Sequence, residues 1–175
     1  AKASAGDVEK AAKAARDASK QWADLYPEER GKLMCRMAEL IQEHAEEFAR
    51  VESAETGKTL HECRVIDIPF AVRAFEYYGK LMTGFQGEYI EVPQGGILDY
   101  VSYEPYGVVA VIAPWNFPIH LMTRDLCPAL AAGNTIVAKA SSKTPSTTSM
   151  MGELIKEAGF PAGVINIVSG PGGTT

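Results

Sequence analysis

The residues with chemistry to offer stand late in the chain. Asn116 lies in Pro114-Trp115-Asn116-Phe117-Pro118, directly after the apolar run Val108–Ile112. Its amide N–H can donate to a carbonyl oxygen and hold the oxyanion that forms when a nucleophile attacks that carbon. An Asn hemmed by prolines also satisfies turn backbone, and on residue type alone the turn role takes precedence. Lys139 closes a second apolar run over 135–139, with Ser141, Ser142 and Lys143 just beyond. A lysine there can simply carry its ammonium to solvent along its stem. Gly170-Pro171-Gly172-Gly173 follows a third run over 164–168. Glycine lets backbone approach a nucleotide closely, but the spacing is not G-x-G-x-x-G, and a flexible turn explains it equally.

Other candidates are weaker. Gly57-Lys58-Thr59 mimics the end of a phosphate-binding loop, yet the required first glycine position is occupied by Glu52. Gly57 reads better as a helix terminator. Cys35, Cys63 and Cys127 show no C-x-x-C spacing, and His44, His61 and His120 no ligand spacing. Neither a disulfide scaffold nor a metal site is expected. Cys35 reads as a small hydrophobe within a helix. Cys127 has no His or Glu near it in sequence to activate it as a nucleophile.

The elements that must position these residues follow from periodicity. Val8, Ala11, Ala12, Ala15, Ala18, Trp22 and Leu25 share one helical face, predicting a helix over 1–26, capped by Ser4 or Asp7 and ended by Pro27. Pro27-Glu28-Glu29 opens a second helix with Leu33, Met37, Leu40, Ile41, Phe48 and Val51 on its buried stripe. A third is expected over 60–83, bent near Pro69, with Phe70, Ala74, Tyr77, Tyr78 and Leu81 packed into the core. Alternation over 87–103 around Pro93-Gln94-Gly95-Gly96 predicts a β-hairpin. Then come strands at Val108–Ile112, 135–139 and 164–168, separated by helices over about 118–130 and 145–158. The first strand, an apolar and largely β-branched run, is expected to be buried on both faces. The fold class is α/β: a Rossmann-like βαβαβ half of a doubly wound parallel sheet, preceded by a helical region and a hairpin. The expected divisions are 1–86, 87–104 and 105–175. Asn116 would stand at the carboxyl end of a strand, where open α/β sheets place ligands.

These stretches carry a resemblance. Glu104-Pro105-Tyr106-Gly107-Val108-Val109, Ala113-Pro114-Trp115-Asn116-Phe117-Pro118, Pro128-Ala129-Leu130-Ala131-Ala132-Gly133-Asn134-Thr135-Ile136-Val137-Ala138-Lys139, Gly159-Phe160-Pro161 and Asn166-Ile167-Val168-Ser169-Gly170-Pro171-Gly172, in that order, resemble the aldehyde dehydrogenase superfamily. The likeness runs back to about the first helix. It implies the N-terminal portion of an NAD(P)-dependent enzyme that oxidises an aldehyde to a carboxylic acid through a thiohemiacetal and thioester, with an incomplete fold that lacks the catalytic domain.

By that resemblance, Asn116 stabilises the oxyanion, overriding the turn reading. Ile112, Ala113, Pro114, Trp115 and Asn116 line one side of the cofactor cleft. Lys139 contacts the adenosine ribose, Ser141 and Ser142 stand beside it, and Gly170 and Gly172 belong to the adenine and pyrophosphate surface. The family usually places Glu at the position of Ser142 and Pro at that of Ala140. Without an acid to repel a 2′-phosphate, NADP is expected to be permitted alongside NAD, with Lys143 assisting. Arg124 resembles an arginine in relatives that oxidise aromatic aldehydes, although Arg124 and Asp125 also read as a surface pair. The hairpin corresponds to an oligomerisation element, implying a homo-dimer or tetramer. Neither the family's cysteine nor its glutamate can be matched here, so the isolated chain is not expected to turn over. The alternative is a catalytically incomplete nucleotide-binding or oligomerisation module.

Composition narrows the classes. Hydrophobic content of 46% and charged content of 22% suit a water-soluble globular chain. A net charge of −5 argues against nucleic acid or an anionic membrane as partner. No apolar run approaches the roughly 20 residues that span a bilayer, and no basic-then-apolar leader opens the chain. Sparse cysteines suit a reduced, cytoplasmic compartment.

Overall fold

The computed structural model describes residues 2–93, 95–173 and 175. Helix α1 (Ala5–Asp24) begins later than expected because Ser4 and Asp7 form a capping box. The Ser4 N–H donates to Asp7 Oδ2 at 2.9 Å, and the Asp7 N–H to Ser4 Oγ at 3.3 Å. Ala1 lies outside the described residues. Ala15, Ala18 and Trp22 form the buried face, and Trp22 Nε1 donates to the Leu130 carbonyl at 3.1 Å.

The second expected helix is two. Helix α2 (Pro27–Glu43) and α3 (Ala45–Thr56) meet at His44, whose φ of −98° and ψ of 13° interrupt the spiral. No glycine or proline marks the break. Gly57, at φ +76°, ends α3 in the left-handed conformation that glycine adopts without strain.

The third expected helix is also segmented: α4 (Leu60–Glu62), a π-helical turn (Cys63–Asp67), α5 (Ile68–Leu81) and a 3₁₀ turn (Met82–Gly84). Pro69 has no N–H to give, and its ring crowds the preceding turn; the wider π turn beside it accommodates this. Helices α2 and α5 pack so closely that a Cβ on Gly31 would collide with the Gly79 carbonyl. Core packing holds for Ala74 and partly for Phe70 and Tyr78. Tyr77 is 61% exposed and Leu81 lies at the surface, correcting the expected stripe.

Strands β1 (Glu88–Ile90) and β2 (Asp99–Val101) pair antiparallel, with Tyr89 opposite Tyr100. All six residues are exposed. Gln94, in the expected turn, lies outside the described residues.

The α/β unit then runs β3 (Val108–Ile112), α6 (Pro118–Ala131), β4 (Thr135–Ala140), α7 (Ser146–Glu157) and β5 (Ile165–Ser169). The strands lie in the order β3-β4-β5, all parallel. This is the βαβαβ arrangement read from the sequence. The expectation that β3 is buried on both faces fails: only Val111 is buried, while Val108, Ala110 and Ile112 are exposed. The run is apolar, but β3 pairs with β4 on one side only among the described residues. The central strand β4 is the buried one. One hydrophobic core joins Trp22 of α1, Met37 and Ile41 of α2, Phe48 of α3, Phe75 of α5, Leu126 and Leu130 of α6 and Ile136 of β4.

Candidate active site at the strand ends

Parallel pairing brings three sequence-distant segments to one edge. Ile112 stands opposite Lys139, and Lys139 opposite Val168. The chain past each strand therefore leaves from the same carboxyl end. Ala113 N–H donates to the Lys139 carbonyl at 3.1 Å, one step beyond the last β3 pair. Pro114 stops the ladder, since it has no N–H to continue it.

Beyond it the backbone turns out to solvent. Pro114, Trp115 and Asn116 are exposed, while Ala113 is buried. The loop is tied to the next strand end: Thr144 Oγ1 donates to the Trp115 carbonyl at 3.4 Å, and Lys143 Nζ lies 5.4 Å from the centre of the Trp115 ring. The Asn116 carboxamide has no hydrogen-bond partner among the described residues. The turn-satisfying role that residue chemistry allowed is thus not the one it performs here. Its N–H groups are open at the end of an anchored loop, able to meet a carbonyl oxygen.

Lys139 does not simply extend into solvent. Its ammonium donates to the Gly170 carbonyl at 3.0 Å and to the Ala140 carbonyl at 3.2 Å, bridging the ends of β4 and β5. An ammonium has three N–H donors, so one remains for a ligand hydroxyl. Ser141 Oγ accepts from the Lys143 N–H at 3.2 Å, and Ser142 is exposed. Gly170 sits in close quarters: a Cβ there would lie 2.7 Å from Thr175 Cγ2 and 3.2 Å from the Ala3 carbonyl. Gly172 has open space where a Cβ would project. A nucleotide's hydroxyls, flat base and phosphates fit these donors, the exposed Ile112 and Trp115 surfaces and the open glycine edge.

A second group of polar side chains lies behind this edge, and sequence spacing did not reveal it. Lys58 Nζ sits 2.7 Å from Asp67 Oδ2 and 3.3 Å from the centre of the Phe117 ring. Asp67 and Glu52 are fully buried. Glu52 Oε2 accepts from the Ile119 N–H at 3.4 Å. Burial pushes the Glu52 carboxyl up to about 7, the neighbouring Asp67 charge adds to this, and the Ile119 N–H and Lys58 oppose it. His120 stacks on Phe70 at 3.6 Å, with Nδ1 3.8 Å from Asp67 Oδ1. Burial holds this imidazole below its ordinary pKa. The only linear signal was Gly57-Lys58-Thr59, whose glycine is read above as a helix end.

The cysteines are poor nucleophiles as they stand. Burial pushes the Cys63 thiol up to about 11 and the Cys127 thiol well above its usual value, and raises that of Cys35. Among the described residues no cluster of His, Cys, Asp and Glu could hold a metal ion. No helix of the described residues is long and apolar enough to cross a membrane. Arg124 and Asp125 form the exposed pair read as one alternative, at 2.9 Å. Arg124 also lines a cavity of about 340 Å³ with Phe70, Arg73, Ala74, Tyr77 and Tyr78.

Comparison with known proteins gives one answer throughout. Residues 1–175 match the aldehyde dehydrogenase family. The 2-aminomuconic semialdehyde dehydrogenase of Homo sapiens is 40% identical over 166 residues, 95% of this chain and 34% of that protein. The crystal structure of PnpE, a protein from Pseudomonas sp. WBC-3, in complex with nicotinamide adenine dinucleotide is similar with a TM-score of 0.96 and 44% identity, covering 100% of this chain and 36% of that one. A mutant of the P. syringae indole-3-acetaldehyde dehydrogenase AldA, in complex with NAD+ and IAA, gives 0.95 and 39%, covering 99% and 35%. The chain spans about a third of the length of the curated relatives it matches.

Proposed function

The chain belongs to the aldehyde dehydrogenase family, and from that premise we propose that it supplies the oxyanion-holding residue and one face of the coenzyme cleft of an NAD(P)-dependent aldehyde dehydrogenase. The observation that carries the reading is Asn116, exposed and unpartnered at the carboxyl end of β3, beside the β4 and β5 ends that Lys139 ties together. The coenzyme, when bound, accepts hydride. Asn116 donates to the aldehyde oxygen as charge builds there. Ile112, Pro114 and Trp115, with the buried Ala113 between them, would line one side of the coenzyme cleft. Lys139, Ser141 and Ser142 would offer donors to its ribose, and Gly170 and Gly172 would form part of its adenine and pyrophosphate surface. The exposed Ser142, with Lys143 next to it, tolerates a 2′-phosphate, so NADP is accepted as well as NAD.

The nucleophilic cysteine and the water-activating glutamate lie outside these 175 residues, in keeping with the raised thiols of all three cysteines present. Residues 87–104 form the oligomerisation element. Its support is the exposed ribbon of Tyr89, Ile90, Tyr100 and Val101 with Ile97 and Leu98, since an isolated two-stranded hairpin is marginal in water. An aromatic aldehyde suits the cavity walled by Phe70, Tyr77 and Tyr78 beside Arg124. The relatives' names, a 2-aminomuconic semialdehyde and an indole-3-acetaldehyde dehydrogenase, fit an unsaturated or ring-bearing substrate.

Titrating the 175-residue chain with NAD and NADP, read by tryptophan fluorescence in the native chain and in Trp22→Phe, tests the coenzyme face. Saturable binding of both, without aldehyde-dependent NAD(P)H formation, is the expected result. Turnover at ordinary enzymatic rates would overturn the placement of the nucleophile outside the chain. No binding, with concentration-dependent association, would favour an oligomerisation module instead.

A further inference from the structure

Asn116 reaches the cleft from a loop, yet loops hold side chains less firmly than strands do. The residues on its far side show what steadies it. Phe117, the next residue, is the N-cap of α6 but supplies no side-chain cap. Pro118 has no N–H. The first free N–H of the helix, that of Ile119, is taken by the Glu52 carboxyl across 67 positions of sequence. The ring of Phe117 is covered by the Lys58 ammonium at 3.3 Å, and that ammonium is held by Asp67 at 2.7 Å. Asp67 reaches inward from the π-helical turn, and such turns recur at functional sites.

A charge cluster this deep is costly. Glu52 and Asp67 are fully buried, and the Lys58 side chain is only 13% exposed. Glu52 Oε1, Asp67 Oδ1 and His120 Nδ1 have no hydrogen-bond partner among the described residues. Apolar residues of similar volume would fill the space at lower energetic cost. What such residues would not do is place a cation against one face of one ring. A desolvated cation–π contact is directional.

We propose that Lys58, Asp67 and Glu52 are positioning residues for Asn116: they grip the Phe117 ring and the first turn of α6, and so fix where the Asn116 amide meets the aldehyde oxygen. This rests on the reading of Asn116 given above. None of the three touches the reacting atoms. Their effect belongs to the chemical step and not to coenzyme binding, because Lys139 and the glycine edge are held by other contacts.

The test uses the full-length enzyme that carries this chain. Lys58→Met, Lys58→Arg and Asp67→Asn are compared with wild type and with Asn116→Ala. The readouts are kcat at saturating aldehyde and coenzyme, the dissociation constant of NAD and the thermal midpoint. Misplacing a catalytic group by about 1 Å can cost about 100-fold in rate. Lys58→Met and Asp67→Asn are therefore expected to lower kcat about 10- to 100-fold while NAD binding stays within about twofold. Lys58→Arg, which keeps the cation, is expected to recover most of the loss. Should Lys58→Met fail to fold, the near-isosteric Asp67→Asn decides. A kcat within about twofold of wild type, alongside an impaired Asn116→Ala, would overturn the inference and spare the Asn116 reading. Parallel losses of kcat, NAD affinity and folded fraction, unrelieved by Lys58→Arg, would also overturn it, leaving only structural support. An Asn116→Ala enzyme with unchanged kcat would remove the premise itself.

Discussion

The strand-end face and the cluster behind it handle polar groups in opposite ways. On the face, Trp115, Asn116 and Ser142 stand in solvent, and the strand ends are joined by the Lys139 ammonium and the Thr144 hydroxyl meeting backbone carbonyls. Water satisfies what the protein leaves open, so an unpartnered amide there costs little. In the cluster, Glu52, Lys58 and Asp67 have left water and depend on one another. The contrast separates two expectations: changes on the face should act on chemistry with little effect on stability, while changes in the interior should alter stability. The two meet at Phe117, one residue from Asn116.

The largest expected effect breaks the interior. Asp67→Ala leaves the Lys58 ammonium without its nearest carboxylate. Removing one partner of a buried pair costs about 3–5 kcal/mol, to be read as a lowered urea midpoint. A loss under about 1 kcal/mol would show that water reaches Lys58 and that the cluster is not an interior at all.

The face should respond in rate and not in stability. Asn116→Ala in the full-length enzyme is expected to lower kcat about 100- to 1000-fold. Its thermal midpoint should match wild type, because the side chain is exposed. A fall in midpoint without a fall in kcat would reverse the contrast.

Glu52 sharpens the comparison through pH. Its carboxyl is raised from 4.5 to about 7 in the fold, mainly by burial, so between those values the native state holds a proton that the unfolded chain has lost. The stability this contributes is complete below about pH 4.5 and disappears as pH rises through about 7. Glu52→Gln should be near neutral at pH 4.5. By pH 8 it should be more stable than wild type, by at most about 3 kcal/mol. Denaturant melts at the two pH values check this, and a gap that does not widen with pH would place Glu52 in contact with solvent.

At the surface little should happen. Arg124 and Asp125 are paired at 2.9 Å but both are well exposed. Asp125→Ala should change stability by less than about 0.5 kcal/mol, measured by the same melts. A larger loss would mean that the pair supports the cavity wall beside Phe70.

Much of this was legible in the residues. The apolar run into Pro114, the glycine stops at Gly133 and Gly159 and the alternation of strand and helix predict the βαβαβ unit, because local periodicity and backbone chemistry carry that information. The motif order carried the family. The break at His44 was not legible: a helix can be interrupted by tertiary packing with no glycine or proline to announce it. The π turn was foreshadowed only as a bend at Pro69. The exposure of β3 was hidden because an apolar run looks the same at a sheet's edge as at its centre.

What the sequence determined by itself is therefore which segments become strands and helices, that Asn116 and Gly170 follow strand ends, and that Lys139 stands near the end of another. Those are consequences of neighbours within a few positions. What only the tertiary structure decided is that Lys139 gives a donor to Gly170, that β3 pairs on one side only among the described residues, and that Glu52, Lys58 and Asp67 converge behind Phe117. Each depends on the distance between residues far apart in the chain, and Coulomb and hydrogen-bond energies are set by that distance and by burial, neither of which a linear spacing contains.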